Sequence, residues 1–292
     1  MNPLTSLFLA VCISCTPAGY YKSNNPIDTD KFANYWYAGE AEISSYTLSQ
    51  DRYDEVHDGN AVLIFVTEPF SRSSNTKADR QTSKDVPVLK LNYTKKFNTG
   101  IYPYSMMTST FFPVENGEYS LKISSSSQEW CGHTFMELQN KDQFIVDIDS
   151  YFEGESVENV KLQKETLEDD LMSMIRINPK NITTGNQLMV PSFFYLRMKH
   201  KPLKSYDAIV SISDHGNDSQ NLTLTYPELG RELVVNFNKD FPHQIYSWSE
   251  SDSSTGLTTN ATLIKTIKAD YWNRHSNKDL HLRSSLGLPV NK

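Results

Sequence analysis

Val88-Leu89-Lys90-Leu91-Asn92-Tyr93-Thr94 alternates between two kinds of side chain, and that alternation decides the fold class. In an extended chain successive side chains point to opposite faces, so Leu89, Leu91 and Tyr93 share one apolar face while Val88, Lys90, Asn92 and Thr94 share the other. Upstream, Ala61-Val62-Leu63-Ile64-Phe65-Val66 is a continuous apolar run, short and rich in branched residues, which predicts a strand buried on both faces. Downstream, Tyr119, Leu121 and Ile123 interleave with Ser120, Lys122 and Ser124. The pattern recurs over 135–138, 144–148, 208–212, 222–226, 233–237, 244–248 and 261–267. Asp58-Gly59, Asn116-Gly117, His215-Gly216-Asn217 and Ser254-Thr255-Gly256 read as the turns between them.

Two segments predict helix. In Thr166–Arg176 the residues Leu167, Leu171, Met174 and Ile175 line one face, with Glu168, Asp169 and Asp170 on the other and in the first turn, where the helix dipole favours acids. His275–Leu286 is a shorter candidate that stops near Gly287 and Pro289. The expected fold is therefore mainly β: a large antiparallel sheet curling into an open barrel or sandwich, with one central amphipathic helix plugging or covering an end and a short C-terminal helix. No Pro/Gly/Ser linker divides the strand-rich part, so residues 31–292 read as a single two-lobed domain.

The chain has 292 residues, 38% of them hydrophobic, and a formal net charge of -7. That balance opposes a general attraction to phosphate backbones, and no nucleic-acid partner is expected. Charge is uneven: residues 71–96 carry seven Lys and Arg against Asp79 and Asp85, whereas 140–170 carry ten acids against three lysines. Blocks of this kind predict solvated faces. No Gly-x-Ser-x-Gly, phosphate-binding loop, dinucleotide fingerprint or paired Cys-x-x-Cys occurs, so no cofactor is expected.

The first residues read as an address. Leu4–Ser14 is a short apolar run without an acid, far below the roughly 20 residues of a membrane-spanning helix, and it predicts a signal peptide over 1–14. Cys12-Ile13-Ser14-Cys15 resembles a bacterial lipobox, which makes Cys15 the expected lipidated N-terminus and residues 15–30 a lipidated cysteine with its polar tether. The expected location is the cell envelope, as a membrane-anchored lipoprotein on the periplasmic or outer-membrane face. Cys131 is then the one thiol left, and the mature domain has no internal disulfide.

Two groups of residues could carry function. If Ser124–Phe135 is one extended strand, Glu129, Cys131 and His133 share a face at a spacing of roughly 6.6 Å, the arrangement of a thiol activated by an imidazole and a carboxylate. The same residues are half of a metal site that would need His57 or His243. The simpler reading, and the one expected, is a small buried cysteine, a bulge at Gly132 and a core Trp130. The second group is Tyr102, Tyr104, Met106, Met107 and Phe111 with Phe193 and Tyr195, adaptable apolar side chains suited either to a greasy ligand or to a core.

At Glu42–Tyr46, Lys95–Met107, Ser126–His133, Tyr226–Arg231 and Asp270–Asn273 the chain resembles a family of uncharacterised flavobacterial lipoproteins, often labelled septum formation inhibitor Maf. The resemblance implies a lipoprotein and no particular activity. The Ser-x-Ser-Pro-Arg-Arg motif of the Maf nucleotide pyrophosphatases does not occur here, so nucleotide hydrolysis is not implied. The expectation is an envelope protein, held at the membrane by its lipid, that binds an apolar small molecule, a lipid or an envelope protein. The alternatives are a thiol-dependent enzyme using Cys131 and His133, and a structural or assembly lipoprotein.

Overall fold

The computed structural model describes residues 29–115 and 119–290. The expected signal peptide, Cys15 with its expected lipidation, nearly all of the expected tether and the expected Asn116-Gly117 turn lie outside the described residues.

Helix α1 (Thr29–Trp36) leads into β1 (Ala41–Arg52), β2 (Glu55–Ser71), β3 (Thr76–Lys77), β4 (Val86–Thr99), β5 (Tyr102–Pro113), β6 (Lys122–Glu129), β7 (Gly132–Asn140), β8 (Phe144–Ser150), β9 (Val157–Leu162) and β10 (Thr166–Leu167). Helix α2 (Leu171–Ile177), β11 (Gly185–Val190) and helix α3 (Phe193–Met198) follow, then β12 (Tyr206–His215), β13 (Ser219–Tyr226), β14 (Arg231–Asn238), β15 (Ile245–Asp252), β16 (Thr258–Ala269) and helix α4 (His281–Ser285). All strands join one sheet in the order β10-β11-β12-β13-β14-β15-β16-β1-β2-β4-β5-β6-β7-β8-β9, with β3 beside β2. Pairing is antiparallel throughout except between β10 and β11. The ends of the path, β9 and β10, are joined in sequence by residues 163–165 but do not pair, so the sheet stays open.

The alternation of β4 comes out as read: Leu89, Leu91 and Phe97 enter the main core, with Tyr93 packed against it, while Lys90 turns outward to Glu68. Matching inward faces come from Ala61, Leu63 and Phe65 on β2, Tyr104 and Met106 on β5, Met136 and Leu138 on β7, and Leu233, Val235 and Phe237 on β14. These share one core with α2 and α3, so the sheet curls around the two helices. Every residue of α3 is buried. Outside, Leu286 and Leu288 after α4 cover Ala41, Ile43, Val62 and Val66, and the Ser45 hydroxyl donates to the Leu286 carbonyl at 2.5 Å.

Several local expectations are corrected. Asp58-Gly59 is not a turn: both residues lie inside β2, where Gly59 faces Phe97 and an added Cβ would sit 2.3 Å from the Lys96 carbonyl oxygen. The glycine marks a close backbone approach instead. The helix expected from Thr166 begins at Leu171 and ends at Ile177, after the short strand β10 and a 3-10 turn over Glu168–Asp170. The acids expected on its polar face are not solvated either: Glu168 and Asp170 are buried in the preceding turn and bonded within the shell. The C-terminal helix shortens to a 3-10 turn over Asn277–Leu280 followed by α4. Phe193–Met198, read only as an apolar stretch, forms α3, with Ser192 capping the Phe194 amide.

Candidate functional site

The hairpins β1–β2, β4–β5, β6–β7 and β8–β9 all turn at the same end of the sheet, and their strands are consecutive in it. Three of them are tight, with two-residue tips Tyr53-Asp54, Gly100-Ile101 and Trp130-Cys131. Such tips ordinarily hold Asn, Asp and Gly, which accept positive φ. Here Tyr53 stands at φ 56° and Asp54 at 60°, with Gly100 at 58°. A bulky residue in that region carries backbone strain, and its neighbours hold it there. The Arg52 guanidinium lies 4.2 Å from the Tyr53 ring centroid, Tyr53 and Tyr104 hydroxyls are 2.9 Å apart, and Tyr102 donates to Tyr53 at 3.1 Å. Burial would push the Tyr53 phenol up, but the hydrogen bonds from Tyr102 and Tyr104 and the charge of Arg52 outweigh it, and its pKa falls below the ordinary value.

The Tyr102 ring stacks on Trp130 with centroids 6.3 Å apart. Beyond them Tyr151, in the β8–β9 connection, packs against Gly132, where an added Cβ would meet its ring at 2.4 Å. Among the described residues, the large hydrophobic side chains more than half exposed are Ile101 (85%), Tyr151 (71%), Trp130 (68%) and Tyr53 (53%). All four stand at this one end.

The thiol constellation is not assembled. Ser124–Phe135 is a hairpin, with Glu129 paired to Gly132 across the Trp130-Cys131 tip, so period-two geometry does not carry through. Glu129 is buried and turned inward toward Arg197 at 3.6 Å, whereas His133 is exposed on the outer face. The alternative of a buried cysteine and a core tryptophan also fails, because Cys131 and Trp130 are both exposed. The Cys131 amide donates to Glu129 Oε2 at 2.6 Å, and a hydrogen bond to Glu129 is the main influence raising the thiol pKa. That is opposite to an activated thiolate. Among the described residues no group of three or more His, Cys, Asp and Glu is placed to hold a metal ion. His57 instead bonds the Arg52 carbonyl at 2.9 Å, and His243 the Asn238 carbonyl at 3.2 Å.

The apolar group is divided by the pleat of β5. Tyr104 and Met106 face the core, while Met107 is exposed on the outer face and Phe111 packs outside against Phe70. Phe193 and Tyr195 are buried on α3. Tyr102 belongs to the exposed end described above.

Sequence reasoning missed the charges inside the shell. Arg231 on β14 donates to both oxygens of Glu168, at 2.6 and 2.7 Å, and to Glu250 at 2.9 Å. Tyr226 donates to the same Glu168, and the Arg231 guanidinium lies 4.1 Å from the Tyr195 ring centroid. Nearby, Lys95 donates to Gln50 at 3.2 Å, and burial pushes its pKa down. Toward α1, Arg176 pairs with Glu42 at 2.5 Å, and Tyr35 donates to that carboxylate. Lys199, just past α3, joins Asp51 at 2.8 Å and Asp252 at 3.7 Å. These links tie α2 and α3 to the sheet. The signal was present in the strand phase: Arg231 is in step with Leu233, Val235 and Phe237, and Lys95 with Leu89, Leu91 and Tyr93.

No family model and no curated protein matches the chain. Among solved structures, a β-barrel-like protein of a domain of unknown function, DUF1849, from Brucella abortus is similar over 78% of this chain and 98% of that one, with 9% identity and a TM-score of 0.44.

Proposed function

We propose that the chain is an exported, lipid-anchored envelope protein of the flavobacterial family it resembles, that it works by binding and not by catalysis, and that it binds through the hairpin end of its sheet. The observation that carries this reading is the gathering of Tyr53, Ile101, Trp130 and Tyr151 at one end. Single exposed apolar residues are ordinary on a protein surface, whereas a group of them marks a contact surface. The interior offers less support for a ligand site: Tyr104, Met106, Phe193 and Tyr195 are packed in the core, which α2 and α3 occupy. A filled core with an exposed patch is also what an assembly lipoprotein would have, and this second reading shares the same surface. The enzyme reading loses its support because Glu129 raises the Cys131 pKa instead of lowering it and His133 stands exposed on the outer face.

Native mass spectrometry of the purified protein tests the proposal. An apolar envelope component should accompany the wild-type chain and be lost from the Ile101→Ser/Trp130→Ser double variant. Retention of the same component by that variant would place binding elsewhere.

A further inference from the structure

We infer that the hairpin end docks on the interfacial layer of a lipid bilayer, with Ile101 and Trp130 entering it and Tyr53 and Tyr151 lying at its edge. This rests on the reading of that end as the binding surface and names what the surface meets. The first argument is shape. Neighbouring strands are about 4.8 Å apart, so successive hairpin tips of one sheet stand roughly 10 Å from each other and four of them spread over about 30 Å. The side chains project from convex tips in a row along the sheet order β1-β2-β4-β5-β6-β7-β8-β9. A planar layer meets such a row of tips together.

The second argument is chemistry. Trp and Tyr carry an apolar ring with a polar handle, and they concentrate where hydrocarbon meets headgroups. At this end the Tyr102 and Tyr53 hydroxyls are already hydrogen-bonded, and the Trp130 ring is stacked on Tyr102, so the rings are held in place before contact. Ile101, 85% exposed at the tip beside Gly100, has no polar group to satisfy in the apolar layer. The third argument is charge. The three two-residue tips contain one acid, Asp54, and no Lys or Arg, while the β8–β9 connection adds Glu153 and Glu155, the latter paired with His200. Arg52 beside them is engaged with the Tyr104 hydroxyl and the Met198 carbonyl. The contact is therefore apolar and interfacial, and not an attraction to anionic headgroups.

The test uses the full chain carrying Cys15→Ala, so that no acyl anchor contributes, with phosphatidylcholine vesicles containing acyl-brominated lipid. The residues before Thr29 are identical in every variant, so differences report on the hairpin tips. Tryptophan fluorescence should be quenched in this chain and in a Trp272→Phe control. Quenching should fall at least severalfold on Trp130→Phe, and vesicle co-sedimentation should drop comparably on Ile101→Ser. Binding should change little between 0.1 and 1 M salt or on adding anionic phosphatidylglycerol. Co-sedimentation that is insensitive to both Ile101→Ser and Trp130→Phe would overturn the inference. So would a chain that ignores vesicles yet carries a bound component lost with Ile101→Ser/Trp130→Ser; there the binding surface stands and its occupant is a soluble molecule or a protein. Absence of both vesicle binding and any such component would overturn the binding surface as well.

Discussion

Cys131 shows how a side chain's chemistry follows from its place in a turn. At the tip of a hairpin it is exposed, yet Glu129 raises its pKa, so accessibility and reactivity part company. Alkylation by iodoacetamide should be slow near pH 7, speed up steadily toward pH 9, and quicken at neutral pH in Glu129→Gln. His133→Ala should leave the rate unchanged, since that imidazole stands on the outer face; a rate that fell with His133 would restore the thiol–imidazole pair. Asp170 is the inverse case, a carboxyl taken inside. It accepts from the Ser120 amide at 2.8 Å and the Ser120 hydroxyl at 2.5 Å, but burial wins and pushes its pKa up to about 7. The unfolded value is about 3.9, so the folded state binds the proton more tightly, and this group's contribution to stability is full below about pH 4 and is lost as pH rises through about 7. Asp170→Asn should flatten the stability profile across that window, as read by urea denaturation at pH 4.5, 6 and 7.5; an unchanged slope would mean that Asp170 is not its source.

Among elements, the helices inside the shell depend on ion pairs as much as on packing. The turn leading into α2 is fastened to β14 by Glu168 and Arg231, and α3 is fastened at its C-terminal end by Lys199 to Asp51 and Asp252. Arg231→Met would leave Glu168 and Glu250 without their cation in a buried place, which costs about 3–5 kcal/mol. Adding Glu168→Gln to that variant should recover part of the loss, and chemical denaturation of the two variants checks the coupling. Strand phase made the sheet legible in the sequence, because Leu89, Leu91 and Tyr93 on β4 and Leu233, Val235 and Phe237 on β14 keep step with the core. The same phase carried Arg231 and Lys95 inward, but a charge on an apolar face looks like an error until its partners, far away in sequence, are known. The acids of 168–170 misled for that reason: as a local pattern they belong to a solvated helix start, and their places are explained by partners distant in sequence, Arg231 and Tyr226 for Glu168, the Phe193 amide for Asp169 and Ser120 for Asp170. Gly59 misled through its neighbour, since Asp-Gly is a turn signal locally and a point of backbone contact in the sheet. The hairpin tips were hidden because Trp130-Cys131 lacks the Asn-Gly chemistry by which turns are recognised.

For the whole molecule, the decisive fact is where the sheet is joined and where it is not. Strands β1 and β16, from opposite ends of the described chain, pair at its middle, with Ala41 opposite Ala269, whereas the break falls between β9 and β10, which are neighbours in sequence. Each half of the sheet is thus tied to the other by contacts between residues far apart in sequence. The helices sit across that seam, with α2 reaching Glu42 on β1 through Arg176 and α3 reaching Asp51 on β1 through Lys199. One core contains Leu89 and Met106 from one half together with Leu222 and Val235 from the other. A core shared in this way cannot be lost from one half while the other keeps its burial, so the two lobes should unfold together. Far-ultraviolet circular dichroism and the fluorescence of the buried Trp36 and Trp248 should trace one coincident denaturation curve, with a slope that matches the surface of the entire domain. Curves that separate, with α1 and Trp36 melting apart from β15 and Trp248, would divide the chain into two domains and remove the shared core as the source of its stability.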